Sequence, residues 1–347
     1  MGRKITKSDW GRRIKKNHHL YSTVEGIELP KKISLIDTHM NNAWEFHRSG
    51  WGHCLYGLRK LHKEDGVLLD DFFEQSHSVF YADNVKEKKI PFMEDWVGFF
   101  HNPPNSPRWH NYAHTPQVVF SRPEAKESLK RCKGMFVFTD YLKDWFDRNL
   151  DIPCEVLCHP TEMPKVKFDF DKFSANNNKT IIQLGHHLRR LLSIQRLKTD
   201  FHKIWFMSCD WAKQLKVIEC QSHDYPTISL NCGNYEEREW IDNDAYDMIL
   251  SQNIAFMHLY DSSVNNAVIE CIVRETPVLI NKIPPIVEYL GKDYPFYFEN
   301  LEEASKKCQD MALIKETHEY LNEMDKQKFS LSYFLNSLTN TEIYKSL

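Results

Sequence analysis

The sequence predicts an α/β protein built from two domains in tandem. Three observations support this prediction: a length of 347 residues, short apolar runs that alternate with helical stretches, and a change to a more polar composition at residues 165–178. A chain of this length suits about two domains, each able to bury a core. Apolar runs that alternate with helices are typical of parallel sheets covered by helices.

The first α/β series is predicted over residues 21–164. Turn or polar residues bound its short apolar runs, as expected of buried strands. His101, Asn102 and two prolines end the strongest of these runs, since proline enforces an extended exit. The predicted strands are 32–37, 96–100, 134–139 and 154–157; further short apolar runs are 66–69, 78–82 and 117–121; the helical stretches are 52–62, 123–133 and 141–148.

Residues 165–178 are a predicted linker, because this stretch alternates Lys, Asp and Phe and ends in three asparagines. A second α/β series is predicted over residues 179–330, followed by a C-terminal helical segment at 331–347. The predicted strands are 180–184, 203–207, 227–230, 256–260 and 276–280; the predicted helices are 189–197, 211–217, 243–252, one that begins at residue 267, 301–314 and 315–335.

The bulk composition is that of a globular protein without a strong charge. Hydrophobic residues make up 41% of the chain and charged residues 27%, with a net charge of −3. A charge this small gives no global attraction to nucleic acid, so we expect no nucleic-acid partner. The nine cysteines are irregularly spaced, which predicts reduced thiols in the cytoplasm. Without a signal peptide, a long apolar run or zinc-type spacing, we expect neither a membrane span nor a metal.

The first 20 residues form a basic tail with seven Lys and Arg residues and one Asp. Two interpretations stay open for this tail. It is either a solvated terminal segment or a surface that contacts a membrane or another polyanion.

The most informative stretch is 256–297, which predicts strand, polar loop, helix, strand, loop and helix. A helix that begins at the carboxyl edge of a parallel sheet offers backbone amides to an anion. Asn265 and Asn266 precede this predicted helix, and Glu270 lies near its first turn. The structural alternative is that the asparagines cap the helix and Glu270 only stabilises its dipole, by about 0.3–1 kcal/mol.

Four short pieces, in order, resemble the GT-B glycosyltransferases, in particular the retaining group related to glycogen synthase and bacterial mannosyltransferases. The first is the glycine loop Ser-Gly-Trp-Gly-His at 49–53, and the second is the run Phe-Phe-His-Asn-Pro at 99–103. The third is Ile-Ile-Gln-Leu-Gly at 181–185, followed by Arg189 and Arg190. The fourth is the stretch 256–297 itself.

The resemblance implies a GT-B fold, in which two Rossmann-like domains face each other across a cleft. It also implies a hexosyltransferase that moves a sugar from a nucleotide-diphosphate sugar, UDP- or GDP-linked, to a glycan or glycoconjugate. Neither a metal nor another cofactor is then expected, and we favour retention of configuration. The residues expected to bind the donor are Gly50, Gly52, Arg189, Arg190, Asn265, Asn266, Ala267, Val268 and Glu270, with Glu270 on the ribose.

The resemblance further implies that His101 lies beside the transferred sugar as a catalytic group. The family usually has two acids with seven residues between them, and Ser262 stands where the first is expected. Asp261 is adjacent to it and is our second catalytic candidate. His53, Trp109 and His110 are candidates for the acceptor site.

Each of these residues has a structural alternative. His101 is then a cap on a strand, the arginines are exposed helix charges, and Trp109 is packing material. Two functional alternatives also stay open. One is a nucleotide-sugar epimerase of the same fold, and the other is a catalytically silent module that binds sugar or nucleotide.

Overall fold

The structure of the protein is a computed structural model that describes residues 28–35, 50–206, 222–224, 235–238 and 242–347. Four features of the sequence therefore lie outside the described residues. These are the basic tail at 1–20, Ser49 of the glycine loop, the predicted helix 211–217 and the predicted strand 227–230.

Eleven described strands form two parallel sheets. They are β1 (Ile33–Leu35), β2 (Val67–Asp70), β3 (Trp96–Phe99), β4 (Cys132–Val137), β5 (Cys154–Val156), β6 (Thr180–Leu184), β7 (His202–Phe206), β8 (Glu236–Arg238), β9 (Ile254–Met257), β10 (Val278–Asn281) and β11 (Tyr297–Phe298). Both sheets show only parallel pairing among these strands.

The α-helices alternate with the strands over most of the described chain. They are α1 (Trp51–Leu58), α2 (Tyr81–Lys86), α3 (Pro116–Val119), α4 (Pro123–Leu129), α5 (Asp140–Asn149), α6 (Phe170–Ala175), α7 (Ser193–Arg196), α8 (Asn243–Gln252), α9 (Asn266–Arg274), α10 (Pro284–Leu290), α11 (Leu301–Lys307), α12 (Met311–Glu323), α13 (Leu331–Asn340) and α14 (Glu342–Ser346). A π-helix covers Gln75–Val79, and short 3-10 helices cover Arg59–Leu61, Tyr112–His114 and Gln327–Phe329. None of the described helices is long and apolar enough to cross a membrane.

The chain divides into two compact units. Unit 1 contains the described residues of Met1–Pro104, together with Tyr112–Glu162 and Gln327–Leu347; unit 2 contains Asn105–Asn111 and the described residues of Met163–Lys326. The sequence places residues 105–111 in the first domain and 331–347 after the second. In the structure the former pack with unit 2 and the latter with unit 1.

Unit 1 is built on the sheet β1-β2-β3-β4-β5, whose strands lie in chain order. One side of this sheet packs an aromatic core in which the rings of Phe73 and Trp96 are stacked with centroids 5.0 Å apart. Helix α14 completes the unit through the buried side chains of Ile343 and Tyr344. Both carboxylate oxygens of Glu155 accept backbone N–H groups at the start of this helix.

Unit 2 is built on the sheet β11-β10-β9-β6-β7-β8. Counted within the unit from β6, this is the strand order 3-2-1-4-5-6 of the doubly wound Rossmann fold. The crossover connections therefore run outward in opposite directions from β6 and β9, and the boundary between these two strands is the switch point of the sheet. In such sheets the crevice at the carboxyl ends of these two strands is where ligands bind.

Several predicted elements need correction. Of the three short apolar runs in the first half, only residues 67–70 form a strand, because 78–82 and 117–121 fall in helical turns. The predicted strand at 256–260 ends at Met257. The two helices predicted over 301–335 are replaced by α11, α12 and the start of α13. Residues 165–178 contain α6, whose Phe173 is fully buried. The edge strand β8 is too polar to stand out in the sequence.

Candidate functional site

The carboxyl end of β6 continues into a tight loop that turns the chain back over the sheet of unit 2. Gly185 adopts a left-handed backbone with φ +69°, and Leu188 follows with φ +54°. Left-handed residues do not continue a helix, so the helix predicted to begin at Arg189 begins only at Ser193. Arg189 instead forms an isolated bridge with Leu259, directly between the ends of β6 and β9.

Arg189 is buried at this position, with 7% of its surface exposed. Its guanidinium Nη1 donates to the carbonyl of His187 at 2.7 Å. Burial lowers its pKa to about 10, and nearby Tyr246 and Glu270 oppose that shift. A Cβ on Gly185 would lie 3.5 Å from the Arg189 guanidinium carbon, so the glycine leaves the cationic group uncovered by a side chain at that point. The switch point therefore carries a buried positive charge.

Helix α9 begins at the same edge of the sheet. Asn265 is its N-cap, and the asparagine Oδ1 accepts the backbone N–H of Val268 at 3.3 Å. The buried Ser263 Oγ and Asn266 Oδ1 make no hydrogen bond to any of the described residues. Buried polar atoms without partners are uncommon and mark places where a ligand can bind. Ala267 and Val268 supply buried positions of the first helical turn.

Glu270 lies on α9 and is also buried, with 3% exposed surface. The Tyr246 hydroxyl of α8 donates to Glu270 Oε2 at 2.5 Å. Arg274, one turn further along α9, is buried and pairs with Asp247 at 2.6 Å. Glu270 is thus held in one orientation, close to Arg189. The sequence shows no signal for Tyr246, because its contact with Glu270 spans 24 residues.

Arg190 points to a different group from Arg189. Its Nη1 lies 3.3 Å from Asp224 Oδ1, and its guanidinium lies over the Tyr260 ring at 4.5 Å. The Tyr260 hydroxyl donates to the same aspartate. Only one of the two predicted arginines is therefore next to Glu270.

Asn105–Asn111 forms a segment that is anchored to the sheet edge of unit 2. Asp261 Oδ2 accepts the N–H of Asn105 at 2.8 Å, and its Oδ1 accepts the N–H of Ser262 at 2.8 Å. His110 Nε2 accepts the N–H of Leu188 at 3.0 Å, and Trp109 stacks on His223 at 4.7 Å. Asp261 and His110 thus have structural contacts that sequence reasoning did not anticipate, because the partners are distant along the chain.

The carboxyl edge of the unit 1 sheet holds the other predicted residues. His101 follows β3 by two residues, and its ring packs against Phe72 at 4.0 Å, Trp51 at 4.5 Å and Phe138 at 5.1 Å. Burial lowers the pKa of His101, although the nearby Glu74 opposes that shift. The ring is therefore neutral at pH 7, and neither nitrogen has a hydrogen-bond partner within the described structure.

The glycine loop leads into helix α1 of the same unit. Gly50 is the extended N-cap of α1, and Gly52 is its second residue. His53 is buried, and burial lowers its pKa to about 4. No described residue bonds to either of its ring nitrogens. His53 and His101 are thus both neutral, buried imidazoles with uncommitted nitrogens.

Three buried acids lie close to these histidines: Asp70, Asp71 and Glu74. Asp71 accepts the indole N–H of Trp51 at 2.8 Å. Burial and the neighbouring Asp71 raise the pKa of Asp70 to about 8, with a further contribution from Glu74. Sequence reasoning missed this acid cluster, since Asp70 and Asp71 read as the polar end of an apolar run. No group of three His, Cys, Asp or Glu residues in the described chain has the geometry to hold a metal.

Solved structures with the same fold are GT-B glycosyltransferases. One neighbour is S. aureus TarM, crystallised with fondaparinux, alpha-GlcNAc-glycerol and UDP, at TM-score 0.56 and 13% identity over 85% of this chain. Another is sucrose-phosphate synthase from Thermosynechococcus elongatus, at TM-score 0.59 and 11% identity over 85% of this chain and 78% of that chain. A third, the E. coli trehalose-6-phosphate structure with UDP-2-fluoro glucose, gives TM-score 0.56 at 10% identity, over 84% of this chain and 76% of that one.

These similarities establish the predicted fold, two Rossmann-like α/β units of the GT-B type. This chain spans 58% of the length of the TarM chain that it matches. No family model and no curated protein sequence matches this chain.

Proposed function

We propose that this protein is a glycosyltransferase that takes a hexose from a nucleotide-diphosphate sugar bound to unit 2. The observation that carries the proposal is the switch point of the unit 2 sheet. There a left-handed glycine, a buried arginine, a helix N-terminus and a buried glutamate converge between β6 and β9. This combination suits a ligand with an anionic diphosphate and a sugar hydroxyl pair.

Each group has a role that follows from its chemistry. The backbone amides of Asn266 and Ala267 and the Ser263 hydroxyl suit the diphosphate, and the acceptor Asn266 Oδ1 suits its surrounding water. The Val268 N–H, also predicted for this role, already donates to the Asn265 cap. Arg189 neutralises charge by ionic hydrogen bonds as the nucleoside diphosphate leaves. Glu270 keeps one carboxylate oxygen on Tyr246 and accepts a ribose hydroxyl with the other.

Arginine and the helix dipole supply positive charge without a metal ion, so we propose metal-independent transfer, with UDP or GDP as the nucleotide. We also propose retention of configuration. Arg190 lies apart from Glu270, beside Tyr260 and Asp224, and is the weaker of the two arginine candidates for phosphate.

For unit 1 we propose that His101 contacts the transferred sugar and that the acceptor is a glycan or glycoconjugate. Neutral imidazoles such as His101 and His53 both donate and accept hydrogen bonds, as sugar hydroxyls require. Gly50 and Gly52 of the same unit stay candidates for close approach to phosphate, and Trp109 and His110, which belong to unit 2, for acceptor contact. Apart from residues 105–111 and the C-terminal residues from 327 onward, the domain limits 21–164 and 179–330 stay proposals. A cytoplasmic location and a membrane contact by the basic tail are proposals too.

A catalytically silent binding module is the second candidate, and one observation favours it. Asp261, the residue nearest to the expected first acid, uses both carboxylate oxygens on backbone N–H groups. It is therefore committed to holding a loop rather than to chemistry.

The two candidates are separated by assaying nucleoside diphosphate release from UDP- and GDP-hexoses with glycan acceptors. A transferase releases the nucleotide, and Glu270→Gln raises the donor KM by about 10-fold or more, because a charged hydrogen bond contributes about 1.5–3 kcal/mol. Glu302→Gln, an exposed acid on α11, is the control with unchanged KM. Donor binding with no release from any donor would favour the silent module.

A further inference from the structure

We propose that Glu74 is a positioning residue for His101, an inference that rests on the proposed function of His101. Glu74 lies at the start of the helical turn that follows β2, immediately before the π-helix Gln75–Val79. It is completely buried. Nothing in the sequence pattern or in the GT-B resemblance points to this residue.

The contacts of Glu74 converge on the two residues that follow the end of β3. Its Oε1 accepts the backbone N–H of His101, the backbone N–H of Asn102 at 2.8 Å and the Asn102 Nδ2 at 3.1 Å. The same oxygen lies 3.6 Å from His101 Nδ1. One carboxylate oxygen therefore holds the main chain of residues 101 and 102 and faces one edge of the imidazole.

The environment of Glu74 makes this arrangement costly. Asp70 is close enough for Glu74 to help raise the Asp70 pKa, so the cluster is already acidic. The neutral His101 ring faces Glu74 with Nδ1 at 3.6 Å and does not form an ion pair with it. A buried carboxylate is expensive unless it is paired or hydrogen-bonded, and costly local choices of this kind concentrate at functional sites.

The remaining sides of the His101 ring are fixed by aromatic packing. Phe72, Trp51 and Phe138 surround it, and Trp51 is itself held by Asp71 through its indole N–H. Neither ring nitrogen has a hydrogen-bond partner among the described residues, and Nδ1 is the one that faces Glu74. The inference therefore assigns Nδ1 to Glu74 and leaves Nε2 for a ligand.

A double-mutant cycle between Glu74 and His101 tests this inference. We expect Glu74→Ala to lower kcat by about 100-fold, as a small misplacement of a catalytic group does, with little change in donor KM. Glu74→Gln keeps an oxygen that can accept the two backbone N–H groups and should restore kcat to within about 10-fold of the parent protein. In a His101→Ala background, Glu74→Ala should cost less than about 3-fold more, because coupled residues are not additive.

The matched control is Glu124→Gln, an acid of the same unit that accepts a hydrogen bond from the Tyr81 hydroxyl. It should leave kcat and KM unchanged. Equal losses from Glu74→Ala in both backgrounds would overturn the inference, since Glu74 would then act independently of His101.

A spectroscopic measurement keeps the test valid if Glu74→Ala does not fold or if no donor is turned over. In ¹⁵N-histidine-labelled protein, Glu74→Gln should shift the His101 Nδ1 resonance, assigned with His101→Ala, whereas Glu124→Gln should not. Unchanged His101 resonances would contradict the positioning role. Absence of turnover with shifted resonances would instead contradict the proposed transferase activity and leave the Glu74–His101 coupling standing.

Discussion

At the scale of single residues, unit 1 buries titratable groups in their neutral forms. Burial lowers the pKa of His53 to about 4 and that of His77 and His159 to about 3. In the same unit, burial and Asp71 raise the pKa of Asp70 to about 8. The histidines contribute stability above their ordinary pKa of 6.5 that is lost on acidification, while protonated Asp70 has the opposite pH dependence.

Asp70→Asn should make unit 1 more tolerant of alkaline pH. The folded-state pKa of Asp70, about 8, lies above its ordinary 3.8, so its stabilisation is complete below pH 3.8 and is lost as pH rises to about 8. An amide carries no charge, so the variant should gain unfolding free energy relative to the parent between pH 5 and pH 9. Urea unfolding at both pH values measures this difference. A constant difference, as expected for the exposed control Asp144→Asn, would contradict the raised pKa.

The residue types of the candidate site were more predictable than their contacts. Asn265 is the predicted N-cap, and Glu270 and Arg189 lie near each other at the predicted sheet edge. The roles of Asp261, Tyr246 and Glu74 were not predictable, because each bonds to residues far away in sequence. Hydrophobic periodicity reports which face of an element is buried, but it does not report which loops meet.

At the scale of elements, helix α9 is the part of unit 2 on which donor binding depends most. It follows the switch-point strand β9, and its N-terminal amides and Glu270 lie on the side expected to bind ligand. The sequence predicted this helix to within one residue, since Asn265 and the apolar residues after it form a strong start signal. In the short turn before α7, the left-handed Gly185 is of the residue type that such a backbone favours, but the second left-handed residue, Leu188, was not predictable because it is neither glycine nor asparagine.

Two N-cap variants separate helix stability from donor binding. Asn265→Ala and Asn300→Ala each remove a side-chain acceptor at a helix start, of α9 and α11 respectively. Both should lower the free energy of unfolding by about 1 kcal/mol. Calorimetric titration with UDP and GDP should show weaker binding only for Asn265→Ala. Equal affinities in the two variants would remove the start of α9 from the donor site.

At the scale of the whole molecule, the chain returns to unit 1 after completing unit 2. Helix α14 packs on the first sheet, where Ile343 is buried against Gly134 of β4. The sequence predicted two α/β domains and a C-terminal helical segment, and the solved structures confirm the GT-B fold. The unit to which residues 105–111 and 327–347 belong depends on tertiary packing, which local patterns do not encode.

Ile343→Ala should destabilise unit 1, because Ile343 docks α14 on the sheet of this unit. The backbone N–H of Ile343 donates to Glu155, which lies 188 residues earlier in the sequence. Truncating a buried isoleucine costs about 2–5 kcal/mol through lost burial and the cavity left behind. Chemical denaturation should show this loss, while Lys345→Ala, an exposed change in the same helix, should have little effect. A loss below about 0.5 kcal/mol for Ile343→Ala would contradict the docking of α14.

Thermal unfolding with nucleotides in the presence of a chelator tests most directly whether unit 2 binds a nucleoside diphosphate without a metal ion. UDP or GDP at 100 times its dissociation constant should add roughly 2.7 kcal/mol of stability in EDTA. Uridine or guanosine at the same concentration should add much less, because Arg189 and the start of α9 would have no diphosphate to bind. Glu270→Gln should reduce the nucleotide effect. An unfolding temperature that no nucleotide changes, with or without the chelator, would contradict the account.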